Sequence, residues 1–213
     1  MANVSKWSNV AIAVQSALAA ALTISAITKA NPGVATSTSH GLSNGDYVVV
    51  SAQGMYQVDA RIFRVSSSTT NTFALEGEDT TNYDTFTSGS CQKITFGTTL
   101  STLTGLTASG GDFNFLDTTT IHVNTKTQIP GVANPSTYSF ESLWDVADAG
   151  LVALKSASDS QALRAIRITF ANGQKLLFNG YIGATLLPTG NAQDIVKTSV
   201  VITGYGKPTV YSS

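Results

Sequence analysis

Charge is what this 213-residue chain has least of. Asp, Glu, Lys and Arg make up only 12% of it, about half the share of an ordinary globular domain. Twelve Lys/Arg stand against thirteen Asp/Glu, for a net charge of −1, so no basic field exists to hold nucleic acid by its phosphates. That argues against DNA binding, though not against the passage of DNA. Cys91 is the only cysteine, which rules out an internal disulfide and a multi-thiolate metal site. A small buried apolar residue is its expected role. The two histidines, His40 and His122, fit no metal-ligand spacing. There is no GxxxxGK[ST] and no GxGxxG, and so no phosphate cradle.

Catalytic constellations are missing too. "ASGGD" (108–112) is similar to the serine region of trypsin-like proteases, but a triad of Ser109, His40 and Asp46 has no supporting sequence context. Asp112 and Asp117 lie close in sequence, yet nothing fixes them as the paired carboxylates of a glycosidase. No catalytic, cofactor-binding or metal-binding residue is assigned. The apolar run "VAIAVQSALAAALTISAI" (10–27) is interrupted by Gln15, Ser16, Thr23 and Ser25, and its alanines contribute little transfer energy. It lacks the Lys/Arg flank of a signal peptide. It reads as a buried strand or a strand-plus-helix segment of a soluble protein.

What is present is β-structure. Hydrophobic residues reach 42%, enough for a core, and Ser, Thr, Asn and Gly supply a neutral polar surface suited to permanent packing against other copies. Residues 26–93 hold "DYVVVS", "RIFRVS" and "TFALEG" between turn-prone segments, which predicts a small β-barrel or sandwich. "QKITFG" continues as a strand. Residues 101–136 then run on with little periodicity, the mark of a functional segment or one ordered by a partner. "TYSFESLW" (137–144) alternates as a strand. A helix follows, with Asp145 as its cap, Asp148 in the first turn and "SDS" (158–160) at its end. Val146, Ala149, Gly150, Ala153, Leu154 and Ala157 form its apolar face.

"LRAIRITFANGQKLLFNGYIGA" (163–184) reads as a hairpin. Ile166, Ile168 and Phe170 share a face with Leu176, Phe178 and Ile182, while Arg167 and Thr169 point the other way. Asn172-Gly173 predicts a type I′ turn with positive φ at both residues. The last strand, "IVKTSVVIT" (195–203), turns Val196, Val200 and Ile202 to one side and Lys197, Ser199 and Thr203 to the other.

The order of these C-terminal signatures resembles the lambda-like (siphovirus) phage major tail tube proteins. The residues that carry it are Phe170, Asn172, Gly173, Phe178, Gly180, Tyr181, Gly206, Lys207 and Pro208, with "TGLTASGGDFNFLD" (104–117) ahead of them. The resemblance covers about residues 94–210 and a first strand near 8–20. "SHGLSNGDYVVVS" and the runs after it resemble a small β-module that recurs in phage structural proteins. That module is similar to the first catalytic-cysteine half-domain of ubiquitin-activating enzymes, whose adenylation motif is absent here.

The resemblance implies a mainly β fold, a β-sandwich or half-barrel with one packed α-helix formed by residues 1–25 and 94–213; the small inserted β-module at 26–93 departs from the usual tube protein, which lacks an insertion there. The resemblance also implies a structural, non-enzymatic virion protein of a siphovirus tail. Hexameric rings would stack into a tube through which DNA is ejected. The implied partners are the chain itself, a tape measure protein and tail terminator or tip proteins, with assembly in the host cytoplasm, no cofactor, no membrane and DNA only in passage. Asp112, Phe113, Phe115, Asp117, His122 and Lys126 are then candidates for an inter-subunit or inter-ring loop. Arg167, Thr169, Lys175 and Asn179 are candidates for a hairpin face turned to the lumen or a neighbour. The competing reading is a host- or carbohydrate-binding module using Tyr47, Tyr56 and Tyr83 as aromatic platforms.

Overall fold

Alternating burial marks many of the chain's strands, and the computed structural model describes residues 6–212. Residues 1–5 and 213 of the expected tube domain lie outside the described residues. The strands are β1 (Ala11–Leu18), β2 (Leu22–Ile24), β3 (Ala26–Ile27), β4 (Val34–Thr36), β5 (Tyr47–Gln53), β6 (Ile62–Ser66), β7 (Thr72–Leu75) and β8 (Ser88–Leu100). They continue as β9 (Leu103–Ser109), β10 (Phe113–Asp117), β11 (Gln128–Ala133) and β12 (Thr137–Leu143). After the helix α1 (Ala149–Asp159) come β13 (Leu163–Thr169), β14 (Lys175–Gly183), β15 (Lys197–Gly204) and β16 (Thr209–Tyr211). The fold is mainly β, with one α-helix among the described residues, and the alanine-rich N-terminal run forms the separate strands β1, β2 and β3 and no helix.

Fourteen strands form one large antiparallel sheet in the order β3-β4-β7-β6-β5-β8-β1-β13-β14-β15-β12-β9, with β16 beside β14 and β2 beside β8. The thirteen residues of β8 are its spine. Its first half pairs with β5 and its second half with β1. Two main cores result. One gathers Ile12, Val14, Phe140, Ile166, Ile168, Phe178, Val200 and Ile202 around Leu151 and Leu154 of the helix. The other gathers Ile27, Val48, Val50, Met55, Phe63, Val65, Phe73 and Leu75 in the β3–β7 lobe. Cys91 is buried there, where loss of hydration raises its thiol to about 11, leaving it an inert packing residue. A smaller cluster of Ile62, Ile94, Ala165, Leu177 and Tyr211 joins the two.

The helix starts later than the sequence predicts. Asp148, not Asp145, is its N-cap: one oxygen accepts from Leu151 N at 2.9 Å, and the other accepts from Ser101 N at 3.2 Å and Ser101 Oγ at 2.5 Å. Asp145 instead forms a turn of its own, accepting from Ala147 N at 2.9 Å. Val146 consequently lies outside the helix and is exposed, while Leu151 takes the central buried place. Gly150 is needed because a Cβ there would sit 2.8–2.9 Å from Leu100 and Thr99 of β8.

Burial alone would raise the Asp148 carboxyl, but the hydrogen bonds from Ser101, Leu151 and Gly150 outweigh it and hold the group below its ordinary value. A lowered folded pKa stabilises the protein fully above the unfolded value of about 4 and ceases to do so as pH falls through the folded value. Asp148→Ala should therefore cost about 2 kcal/mol at neutral pH. Urea denaturation at pH 7 and pH 3 checks this: the difference between variant and parent should shrink at the lower pH.

The hairpin forms as expected, with Ile166, Ile168 and Phe178 buried and Arg167 paired with Leu177 in the ladder. Its turn differs from the expected type I′. Gly173 N donates to Phe170 O at 2.9 Å, Phe170 N donates to Gln174 O at 2.8 Å, and of the pair only Gly173 has positive φ, at 88°. This is a three-residue loop ending in a left-handed glycine, and Asn172 serves it by accepting from Gln174 N at 3.1 Å.

Candidate assembly surface

β10 and β11 pair only with each other, forming a two-stranded arm outside the large sheet. The arm grows from the end of β9 and returns into β12. Its root is fixed by Gly110 and Gly111, with φ of 82° and 85°, and a Cβ on Gly110 would lie 2.3 Å from Pro135 O. Gly111 N donates to Asn134 O at 3.2 Å and Asn134 N to Asp112 O at 2.8 Å. Farther out, Thr118 N donates to Thr127 O at 2.9 Å and Lys126 pairs with Asp117 at 3.4 Å. Hydrogen bonds from the Thr119 side chain and N–H hold the Asp117 carboxyl below its usual value.

The arm buries almost nothing of itself. Phe113, Phe115, Leu116, Ile121, Val123, Ile129 and Val132 are all exposed, Ile121 by 96% and Val132 by 81%. An isolated hairpin is marginal in water, and so large an apolar display on a monomer marks an interaction site. All six loop residues singled out in the sequence fall on this arm. Asp112 is at its root, Phe113, Phe115 and Asp117 are on β10, and His122 and Lys126 are in the tip loop 118–127. Beside the arm's root, β9 ends the sheet, and its outer edge has no strand partner among the described residues. An open edge of this kind is a template for pairing with another chain.

Arg167, Thr169, Lys175 and Asn179 are half-buried rather than openly displayed. The Arg167 guanidinium lies 4.8 Å from the Phe96 ring centre and 5.4 Å from that of Tyr47. Neighbouring Ala165 and Leu177 are fully packed against Ile62 and Ile94. At those positions the hairpin's second face meets the β5, β6 and β8 strands of the same chain. Sequence periodicity places Arg167 opposite the core but cannot show that a second layer of the same chain covers it.

His40 is buried, with Nδ1 accepting from Leu42 N at 3.0 Å and Nε2 donating to Thr72 O at 3.2 Å. Both ring nitrogens are engaged. The Asp46 carboxylate accepts from Ser43 N at 2.9 Å and pairs with Lys93 at 2.7 Å. Neither group is available to Ser109. Among the described residues no three of His, Cys, Asp and Glu cluster as metal ligands, and no helix is long and apolar enough to cross a membrane.

An exposed arm and an open sheet edge describe a chain built to join others, and comparison with known families says what kind. The model of the phage tail tube protein family (TTP) matches residues 53–213. The chain belongs to that family. A search of curated proteins finds no match. The tail tube match begins at Gln53, the last residue of β5, and takes in β6, β7, β8, the arm, the helix and every strand after it.

As a tail tube protein the chain is a structural protein of the phage virion, located in the tail, and family membership implies self-assembly into a tube. The carbohydrate-binding alternative is not favoured. Tyr47 is half-buried edge-on to Phe96 at 5.6 Å, and Tyr83 is half-buried with its hydroxyl donating to Glu78 at 2.5 Å. Only Tyr56 of the three is exposed.

Proposed function

We propose that copies of this chain close into rings of six, that the rings stack head to tail, and that the resulting siphovirus-type tube is the conduit for DNA ejection. The observation that carries this reading is the arm, an apolar ribbon of a tail tube protein with no strand partner for it among the described residues. The open edge of β9 supports lateral joining, since ring closure pairs an edge that a monomer leaves exposed. A net charge of −1 suits a wall past which DNA slides without being held.

Residues 1–25 and 94–213 form the tube wall in this reading, and 26–93 is a module inserted into it. Two separate main cores support that division. The tube would enclose a tape measure protein, meet terminator and tip proteins at its ends, and assemble in the host cytoplasm.

Ring size is tested by the mass of the smallest stable assembly of purified protein in solution. Six copies of a 22.2 kDa chain give about 133 kDa. A closed dimer, or monomer alone at every concentration, would overturn the ring.

A further inference from the structure

The arm needs a surface to receive it, and the far end of the same sheet carries one. β9, β12 and β15 lie side by side, and the arm leaves at the Ser109/Thr137 end of their ladders. The opposite end is Leu143 against Lys197, about 20 Å away at the usual rise per residue. Just beyond it Trp144 N donates to Val196 O at 3.0 Å and Trp144 Nε1 donates to Leu186 O at 2.9 Å. These bonds tie the loop 184–196 to the start of the helix connection. Trp144, Val146, Leu187, Ile195 and Val196 are all exposed there, between 41% and 70%.

We propose that this end patch, centred on Trp144, is the docking site for the arm of a second copy of the chain. The proposal rests on the tube reading and adds the receiving surface. Within one chain the arm and the patch are held at opposite ends of shared strands and cannot meet. Displacing a second copy along the strand direction brings one onto the other. Such a contact is heterologous and does not close, so it repeats into a filament.

Charge agrees with the match. The tip loop 118–127 has no acidic residue and carries His122 together with Lys126, whose pairing with Asp117 is long and solvent-exposed at 3.4 Å. The patch is flanked by Asp145 and Asp194, neither of which makes an ion pair among the described residues, and by the weak Lys197–Glu141 pair at 3.8 Å. Indole and aliphatic side chains in the patch would cover Ile121 and Val123, the most outlying apolar residues of the arm.

The test uses the full chain in two forms. In the first, Ile121→Cys protein is mixed with Leu187→Cys protein and oxidised after assembly; buried Cys91 stays silent. A mixed disulfide dimer is expected in tubes. In the second, Leu187→Glu with Val196→Glu changes only exposed side chains. It should raise the critical concentration for tube growth at least tenfold while leaving thermal stability and single rings intact. Tubes that form normally from the double variant and give no Ile121→Cys/Leu187→Cys cross-link would overturn the docking site and leave the tube reading standing. Failure of the unmodified chain to form rings or tubes at all would overturn both.

Discussion

Deleting residues 112–133, so that Gly110 and Gly111 lead directly to Asn134 and Pro135, should leave a folded protein that no longer polymerises. None of the deleted residues belongs to a buried core cluster. The two ends already meet through the bond from Gly111 N to Asn134 O at 3.2 Å. Thermal stability should therefore stay close to that of the parent. Assembly should suffer far more: Phe113, Phe115, Ile121, Val123 and Val132 are removed together. Losing only two anchors of about 1.4 kcal/mol each already raises the critical concentration roughly a hundredfold. Pelleting of polymer by ultracentrifugation at increasing protein concentration measures this. A deletion that pellets like the parent would show that the arm takes no part in growth.

Arg61→Ala should be the most destabilising single change in the β3–β7 lobe. Arg61 and Glu78 are both more than nine-tenths buried and form a two-pronged ion pair, with the second contact at 2.9 Å. The Arg61 guanidinium also donates to Gln57 O at 3.1 Å and lies 4.9 Å from the Phe63 ring centre. Tyr83 donates to the same Glu78 carboxylate at 2.5 Å; burial and then this carboxylate raise its hydroxyl above the ordinary value.

Removing the arginine strands a buried carboxylate, at a cost of about 3–5 kcal/mol. The double change Arg61→Met with Glu78→Leu removes both charges and should recover most of that loss, because the pair's own desolvation offsets much of its attraction. Urea denaturation of the parent, Arg61→Met, Glu78→Leu and the double variant closes the cycle, with Arg61→Ala measured beside it. A loss below about 1 kcal/mol for Arg61→Ala would mean that water reaches Glu78.

Much of this architecture is legible in the sequence, and the misses share a cause. Strands with one buried face announce themselves: "TYSFESLW" and "IVKTSVVIT" alternate, and Tyr138, Phe140, Val200 and Ile202 are buried as the alternation demands, while Val196, expected on that face, precedes the strand and is exposed. The helix cap was displaced by three residues because Asp145 and Asp148 look equivalent locally. What selects Asp148 is Ser101, a partner 47 positions away. The hairpin turn differs from the type I′ expectation because Asn-Gly fits two loop lengths, and the pairing of Phe170 with Gln174 selects the longer.

The arm gave no strand signal at all. Every residue of β10 is exposed, and a ribbon with no core side has no reason to alternate. Its lack of pattern was itself the clue to function, and its exposed Phe and Ile residues were the sign. The end patch is not legible in the sequence because Trp144, Leu187 and Val196 are scattered over more than fifty positions and meet only through the fold.

Negative-stain electron microscopy of the unmodified protein over a concentration series tests the central claim most directly. The account predicts six-fold rings at low concentration and hollow tubes of uniform width above a sharp threshold, lengthening without widening. A protein that remains monomeric at the highest concentration reached, or that forms only irregular aggregates without a channel, would contradict it.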